Sequence, residues 1–152
     1  MSECLSEPGP PYKLSDDKRK GYRSLTNADR TVDFGIRTRK TDKGEGPGWY
    51  RFEGGAGTKM KDSCPRYSYK YGNKYNQRRV NTCNTNAPGW MRGGEPKVSD
   101  LPVTRTACFS WSNNCCYWST SIKVRNCGSY LVYYLNSTSD DGTHYLRYCG
   151  NG

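Results

Sequence analysis

Eight cysteines, at positions 4, 64, 83, 108, 115, 116, 127 and 149, constrain this 152-residue chain more than any other feature. Their number is even, and none stands in the paired C-x-x-C spacing of a zinc ribbon or a thioredoxin-like site. The single histidine, His144, leaves the metal-ligand inventory thin, so no metal and no cofactor are expected. A disulfide framework is the reading that fits. Four bridges imply an oxidising compartment, hence secretion or the cell surface. Adjacent cysteines carry a further implication: if Cys115 and Cys116 lie on a strand, their side chains point to opposite faces and two bridges leave the two sides of one sheet.

The length suits one domain. Hydrophobic residues make up 33% of the chain, low enough for disorder on composition alone. Thirteen Tyr and four Trp argue the other way, because each ring buries far more area than an aliphatic side chain. No apolar run precedes Cys4 and none is long enough to span a bilayer; the sequence reads as a mature protein with an added Met.

The net charge of +10 is uneven. Residues 1–47 carry +2 and residues 48–152 carry +8. The first 47 residues form a polar segment tied covalently by Cys4 alone, with Pro8, Pro10, Pro11 and the run Asp16-Asp17-Lys18-Arg19-Lys20, and weak structure is expected there. Short helical turns are expected near Asp16 to Arg23 and Asn27 to Val32. From residue 48 to 152 the pattern is one of short β-like runs between Gly, Pro and Asn: Trp49 to Glu53, Val103 to Trp111, Cys115 to Arg125, Tyr130 to Leu135 and Thr143 to Cys149. Asp140-Asp141-Gly142 reads as the turn of a terminal hairpin joining the last two. The fold class is therefore mainly β, small antiparallel sheets with minor helical turns, in a disulfide-rich single domain.

A set of spaced motifs runs from residue 48 to 149: Gly48-Trp49-Tyr50-Arg51-Phe52 with Gly54, Gly57 and Met60 before Cys64; Cys83-Asn84-Thr85 with Ala87-Pro88, Trp90 and Gly93; Arg105-Thr106-Ala107-Cys108; Cys115-Cys116-Tyr117-Trp118; and Cys127 followed by Tyr130, Val132, Tyr133, Leu135 and Tyr148-Cys149. In these residues the chain resembles the eight-cysteine domain of the family of uromodulin and the pancreatic zymogen-granule membrane glycoprotein. Tyr22, Leu25 and Arg30 fit the start of the family's domain best, with Tyr12, Leu14 and Arg19 as a rival alignment. The resemblance implies bridges Cys4 to Cys127, Cys64 to Cys115, Cys83 to Cys149 and Cys108 to Cys116. Both cysteines of a fifth bridge frequent in the family are missing, which leaves no orphan thiol. The resemblance also implies a glycan near Tyr134, of the kind displayed as a decoy for bacterial fimbrial lectins. Here the sequon is Asn136-Ser137-Thr138, and Arg92 stands where another family sequon has its Asn.

No catalytic constellation emerges. His144 has no second histidine, the cysteines are taken by bridges, and Asp16-Asp17 and Asp140-Asp141 sit in turn-like contexts. The rings of Trp49 to Phe52 read as core at strand spacing in preference to a sugar platform. An enzyme is not expected.

Residues 65–82 are peculiar to this chain, since the family has only a handful of residues between the equivalents of Cys64 and Cys83. This insertion carries Arg66, Lys70, Lys74, Arg78 and Arg79 with no acidic residue, interleaved with Tyr67, Tyr69, Tyr71 and Tyr75. Tyr67 to Tyr71 alternates with period two and Gly72-Asn73 is a two-residue turn signal, which predicts a hairpin with Tyr71 opposite Lys74, Tyr69 opposite Asn76 and Tyr67 opposite Arg78. A face of rings and cations suits sulfated or sialylated glycans and cell-surface glycoproteins, with nucleic acid ranked lower. A solvated loop that only confers solubility is an equal rival reading. The expected function is non-enzymatic extracellular recognition or adhesion, by binding anionic glycans or microbial and cell-surface glycoconjugates; the alternatives are a structural matrix or glycan-displaying decoy glycoprotein and, below both, a cationic antimicrobial effector.

Overall fold

The computed structural model describes residues 3–4, 22–31, 39–44, 46–65, 67–71, 74–78, 82–138 and 144–152, with backbone alone for 67–71 and 74–78. Nine strands are present among them: β1 (Arg23–Leu25), β2 (Gly48–Phe52), β3 (Tyr67–Tyr71), β4 (Lys74–Arg78), β5 (Ala87–Arg92), β6 (Val103–Trp111), β7 (Asn114–Asn126), β8 (Leu131–Leu135) and β9 (Leu146–Tyr148). Short 3-10 turns at Ala28–Arg30 and Gly54–Ala56 are the helical content of the described residues. Seven strands form one sheet in the order β1-β2-β8-β7-β6-β5-β9, while β3 and β4 pair only with each other.

The long β6–β7 hairpin is the spine of the sheet. Its two turn residues, Ser112 (φ 49°) and Asn113 (φ 63°), both take the left-handed conformation that matches the twist of flanking strands. Close to that turn the pairing runs out of register: Phe109 faces Trp118 and Trp111 faces Asn114, so Ser110 alone stands against the three residues Cys115 to Tyr117. The two adjacent cysteines therefore sit in a bulge, not in regular alternation.

Aromatic rings fill the interior, as the composition requires. Tyr50, Phe52, Phe109, Tyr133 and Tyr148 are all at most 2% exposed. Phe52 packs edge-on against Tyr133 at 5.6 Å and Phe109 lies 5.3 Å from Tyr148. Buried phenols need partners: the Tyr133 oxygen accepts from the Met60 N–H at 3.0 Å, and Tyr148 donates to the Asn136 carbonyl at 2.9 Å. Burial raises the pKa of both phenols well above the ordinary value. Tyr50 and Phe52 are thus core, as their strand spacing implies.

Two expectations fail. The terminal hairpin does not form: β8 pairs with β7 and β2, and β9 runs parallel to β5. With β2 on one side and β7 on the other, β8 has no edge free for β9, and the Asp42 N–H donates to the Leu146 carbonyl while the Asp42 carbonyl accepts from the Thr138 N–H. The turn expected at Asp140 to Gly142 lies outside the described residues. Nor is all of the first 47 residues weakly structured. Strand β1 adds a parallel edge to β2, and Arg30 pairs with Asp42 across two bonds of 2.9 and 2.8 Å, with both side chains nearly inaccessible. Arg30 also donates to the Tyr148 carbonyl at 3.0 Å, which joins the segment after β1 to β9 at the opposite edge. The helical turn sought near Asn27 is the 3-10 turn; the one sought at Asp16 to Arg23 falls mostly outside the described residues, and Arg23 itself opens β1.

Candidate functional site

The four disulfides join Cys4 to Cys127, Cys64 to Cys115, Cys83 to Cys149 and Cys108 to Cys116, and no cysteine is free. These are the pairs the family resemblance implies. Two of them frame the basic segment. Cys64, just before it, is bonded to the β7 bulge, and Cys83, just after it, is bonded to Cys149 at the end of β9.

Between these anchors, β3 and β4 pair antiparallel with Tyr67 opposite Arg78, Tyr69 opposite Asn76 and Tyr71 opposite Lys74. This is the register that the alternating sequence and the Gly-Asn signal predict. Opposed positions share a face, so 67, 69, 71, 74, 76 and 78 lie on one side of the hairpin and 68, 70, 75 and 77, including Lys70 and Tyr75, on the other. Arg66, Arg79 and the Gly72-Asn73 turn lie outside the described residues.

The roots of the hairpin are held firmly. The Cys115 carbonyl accepts from Trp90 Nε1 at 2.8 Å and from Ser110 Oγ at 3.2 Å, so the bulge is tied to both β5 and β6. At the other root, Cys83 (φ 56°) and Asn84 (φ 53°) take the left-handed conformation in succession. Such a turn needs external support, and Asn84 supplies it: its amide donates to Asp29 at 3.0 Å, its side-chain oxygen accepts from the Arg39 N–H at 3.2 Å, and its carbonyl accepts from the Lys40 N–H. Asp29 also pairs with Arg147 at 3.0 Å. Burial pushes the Asp29 carboxyl up, but the Asn84 amide and the Arg147 guanidinium outweigh it and hold it below the ordinary carboxylate range. No sequence signal pointed to this network, because its members come from four separated stretches of chain.

A row of rings lies beside the bulge. Tyr117, 52% exposed, meets Trp118 at 4.5 Å; Trp118 lies 5.7 Å from His144, and His144 meets Trp111 at 4.5 Å. The lone histidine thus packs between two indoles. Among the described residues no cluster of His, Cys, Asp and Glu could hold a metal ion. Asp16-Asp17 and Asp140-Asp141 lie outside the described residues.

Asn136 follows β8, half-buried, with its amide donating to the Ser121 carbonyl at 3.3 Å. A surface depression of about 190 Å³, lined by Thr104, Ser121, Lys123 and Tyr134, opens beside it.

Residues 50–150 match the family model of the uromodulin-like domain. Uromodulin of Mus musculus is 36% identical over 149 residues, covering 97% of this chain and 20% of that protein. The pancreatic secretory granule membrane major glycoprotein GP2 of Rattus norvegicus is 40% identical over 106 residues, covering 67% of this chain and 17% of its own length. The human GP2 is 33% identical over 148 residues, 97% of this chain and 24% of that protein. The chain thus spans about a fifth of the length of these relatives.

Proposed function

The chain belongs to the family of the uromodulin-like domain, and from that premise we propose that it is a secreted, non-enzymatic recognition domain that grips anionic glycans through the basic segment 65–82. The observation that carries this reading is the concentration of Arg66, Lys70, Lys74, Arg78 and Arg79, with no carboxylate, on an element bonded to the body at both ends. Guanidinium and ammonium groups match sulfate and sialic carboxylate, and tyrosines interleaved with them offer faces for sugar rings. Anchoring lowers the entropy lost when a loop orders on its ligand. Four disulfides suit the oxidising exterior, and among the described residues no helix is long and apolar enough to cross a membrane. The partners on this reading are sulfated or sialylated glycans and the cell-surface glycoproteins that bear them.

The test is a glycan array carrying heparin and sialylated ligands, read at two salt concentrations. A hit that weakens with salt supports the proposal, and silence across the anionic glycans overturns it. A second reading, display of a glycan on Asn136, is favoured by the open depression that this residue lines just after β8. Mass analysis of peptide 131–138 from a eukaryotic host tests it.

A further inference from the structure

A cleft of about 140 Å³ lies between β7 and the segment that follows β8, lined by Phe109, Trp118, Thr120, Ser137, Thr138 and Leu146. Its lining is unlike that of the basic hairpin. Among the described residues no charged side chain lines it; two rings and a leucine supply apolar wall, and hydroxyls supply polar points. The volume is well under the roughly 300–1,000 Å³ of a drug-sized site, so it accommodates one small ring and not an extended ligand.

The chemistry of the wall narrows the ligand. Trp118 is held by Tyr117 at 4.5 Å and by His144 at 5.7 Å, contacts that fix the orientation of the indole. The face of an indole is electron-rich and attracts the C–H groups of a saturated ring. Strand alternation puts Thr120 on the same face of β7 as Trp118, whereas Ser119, which also borders the cleft, alternates to the other face. Thr138 donates to the Leu146 carbonyl at 3.1 Å and Ser137 donates to the Lys43 carbonyl, and each keeps acceptor capacity. The Thr120 hydroxyl can both donate and accept. A ring with C–H groups on one side and hydroxyls around its rim, and with no charge, satisfies all of these at once.

We infer that this cleft is a subsite for one neutral pyranose, stacked on Trp118 and hydrogen-bonded by Thr120. The sugar has two sources: a free or cell-surface saccharide, or the chain's own glycan, since Ser137 and Thr138 belong to the sequon at Asn136. The inference does not rest on the anionic-glycan reading, because residues 65–82 take no part and the ligand is uncharged.

The test is indole N–H NMR on 15N-labelled protein made without glycosylation, titrated with methyl mannoside, methyl galactoside and N-acetylglucosamine. The chain has four tryptophans, and Trp118→Phe identifies the signal of interest by its loss. The expected result is a saturable shift of the Trp118 signal with Kd on the order of 1 mM, as befits so small a ligand. That shift is insensitive to salt. Thr120→Val keeps the shape of the side chain and is expected to weaken binding about tenfold, while Thr120→Ser, which keeps the hydroxyl, restores most of it. Because Trp118→Ala endangers folding, the two Thr120 variants, at a half-buried position, carry the test. In glycosylated protein, a Trp118 signal displaced relative to Asn136→Gln and unresponsive to added sugar assigns the cleft to the chain's own glycan. A Trp118 signal unmoved by all three sugars and by glycosylation overturns the inference, as does binding unchanged in Thr120→Val.

Discussion

The indole N–H of Trp90 on β5 donates to the carbonyl of Cys115 on β7 at 2.8 Å, reaching past β6, which lies between them in the sheet. Cys115 in turn is bonded to Cys64, the residue from which the basic hairpin departs. A core strand, a bulge and the root of the insertion are thereby linked in series. Replacing Trp90 by Phe removes the donor while Ser110 still serves the same carbonyl, so the expected cost is about 1 kcal/mol. Hydrogen exchange of residues 67–78 is expected to quicken more than that of β6; equal change in both would detach the hairpin from Trp90.

The bridges are expected to differ in weight. In the chain-entropy view, the sequence separation of 51 between Cys64 and Cys115 sets an upper limit of about 4 kcal/mol, and that of 8 between Cys108 and Cys116 about 2.5 kcal/mol. Paired Cys→Ser variants should therefore lose less thermal stability at the short bridge. Non-reducing peptide mapping should find the four pairs described above; a Cys108–Cys115 peptide would contradict them.

Gly89 sits where β5 passes Phe109: a Cβ there would come within 2.6 Å of the ring and 3.1 Å of the Arg147 carbonyl. Gly89→Ala is expected to destabilise by about 1–3 kcal/mol through displacement of a packed ring, measured by denaturant unfolding.

Stability should fall in acid. Glu3 is held below the ordinary carboxylate range by its hydrogen bond from Arg125, and Asp29 is held there, against burial, by Asn84 and Arg147. Depressed folded values mean that the stabilisation is fully present above the unfolded value, about 4, and is lost as pH falls through the lower folded values. Melting temperature should be flat from about pH 7 to 5 and decline below about 4, with a shallower decline in Asp29→Asn.

Much of this architecture was legible in the residues. Strand β6 has the bounds its sequence suggests, Val103 to Trp111, and the β3–β4 register follows from alternation around Gly-Asn. Strand β5 was not legible as a strand, because Pro88 and Gly89 break β propensity while tertiary contacts with β6 and β9 impose the pairing. The place of β9 was illegible for a related reason: β2, far away in the chain, takes the edge of β8 that a terminal hairpin would have used. At the candidate sites, the charge of 65–82 could be read directly. The Trp118 cleft could not, since it exists only where β7 passes the chain after β8.

Whether the cations of the hairpin bind anionic glycans is decided by Lys74→Ala combined with Arg78→Ala. Both positions lie on the face shared with Tyr67, Tyr69 and Tyr71. The measurement is affinity for heparin across a range of salt concentrations, for the parent and the double variant. Removal of two cation contacts is expected to weaken binding and to flatten its salt dependence, with folding unchanged. A double variant that binds heparin with the parent's affinity and the parent's salt slope would contradict the claim and leave the hairpin as a solubilising loop.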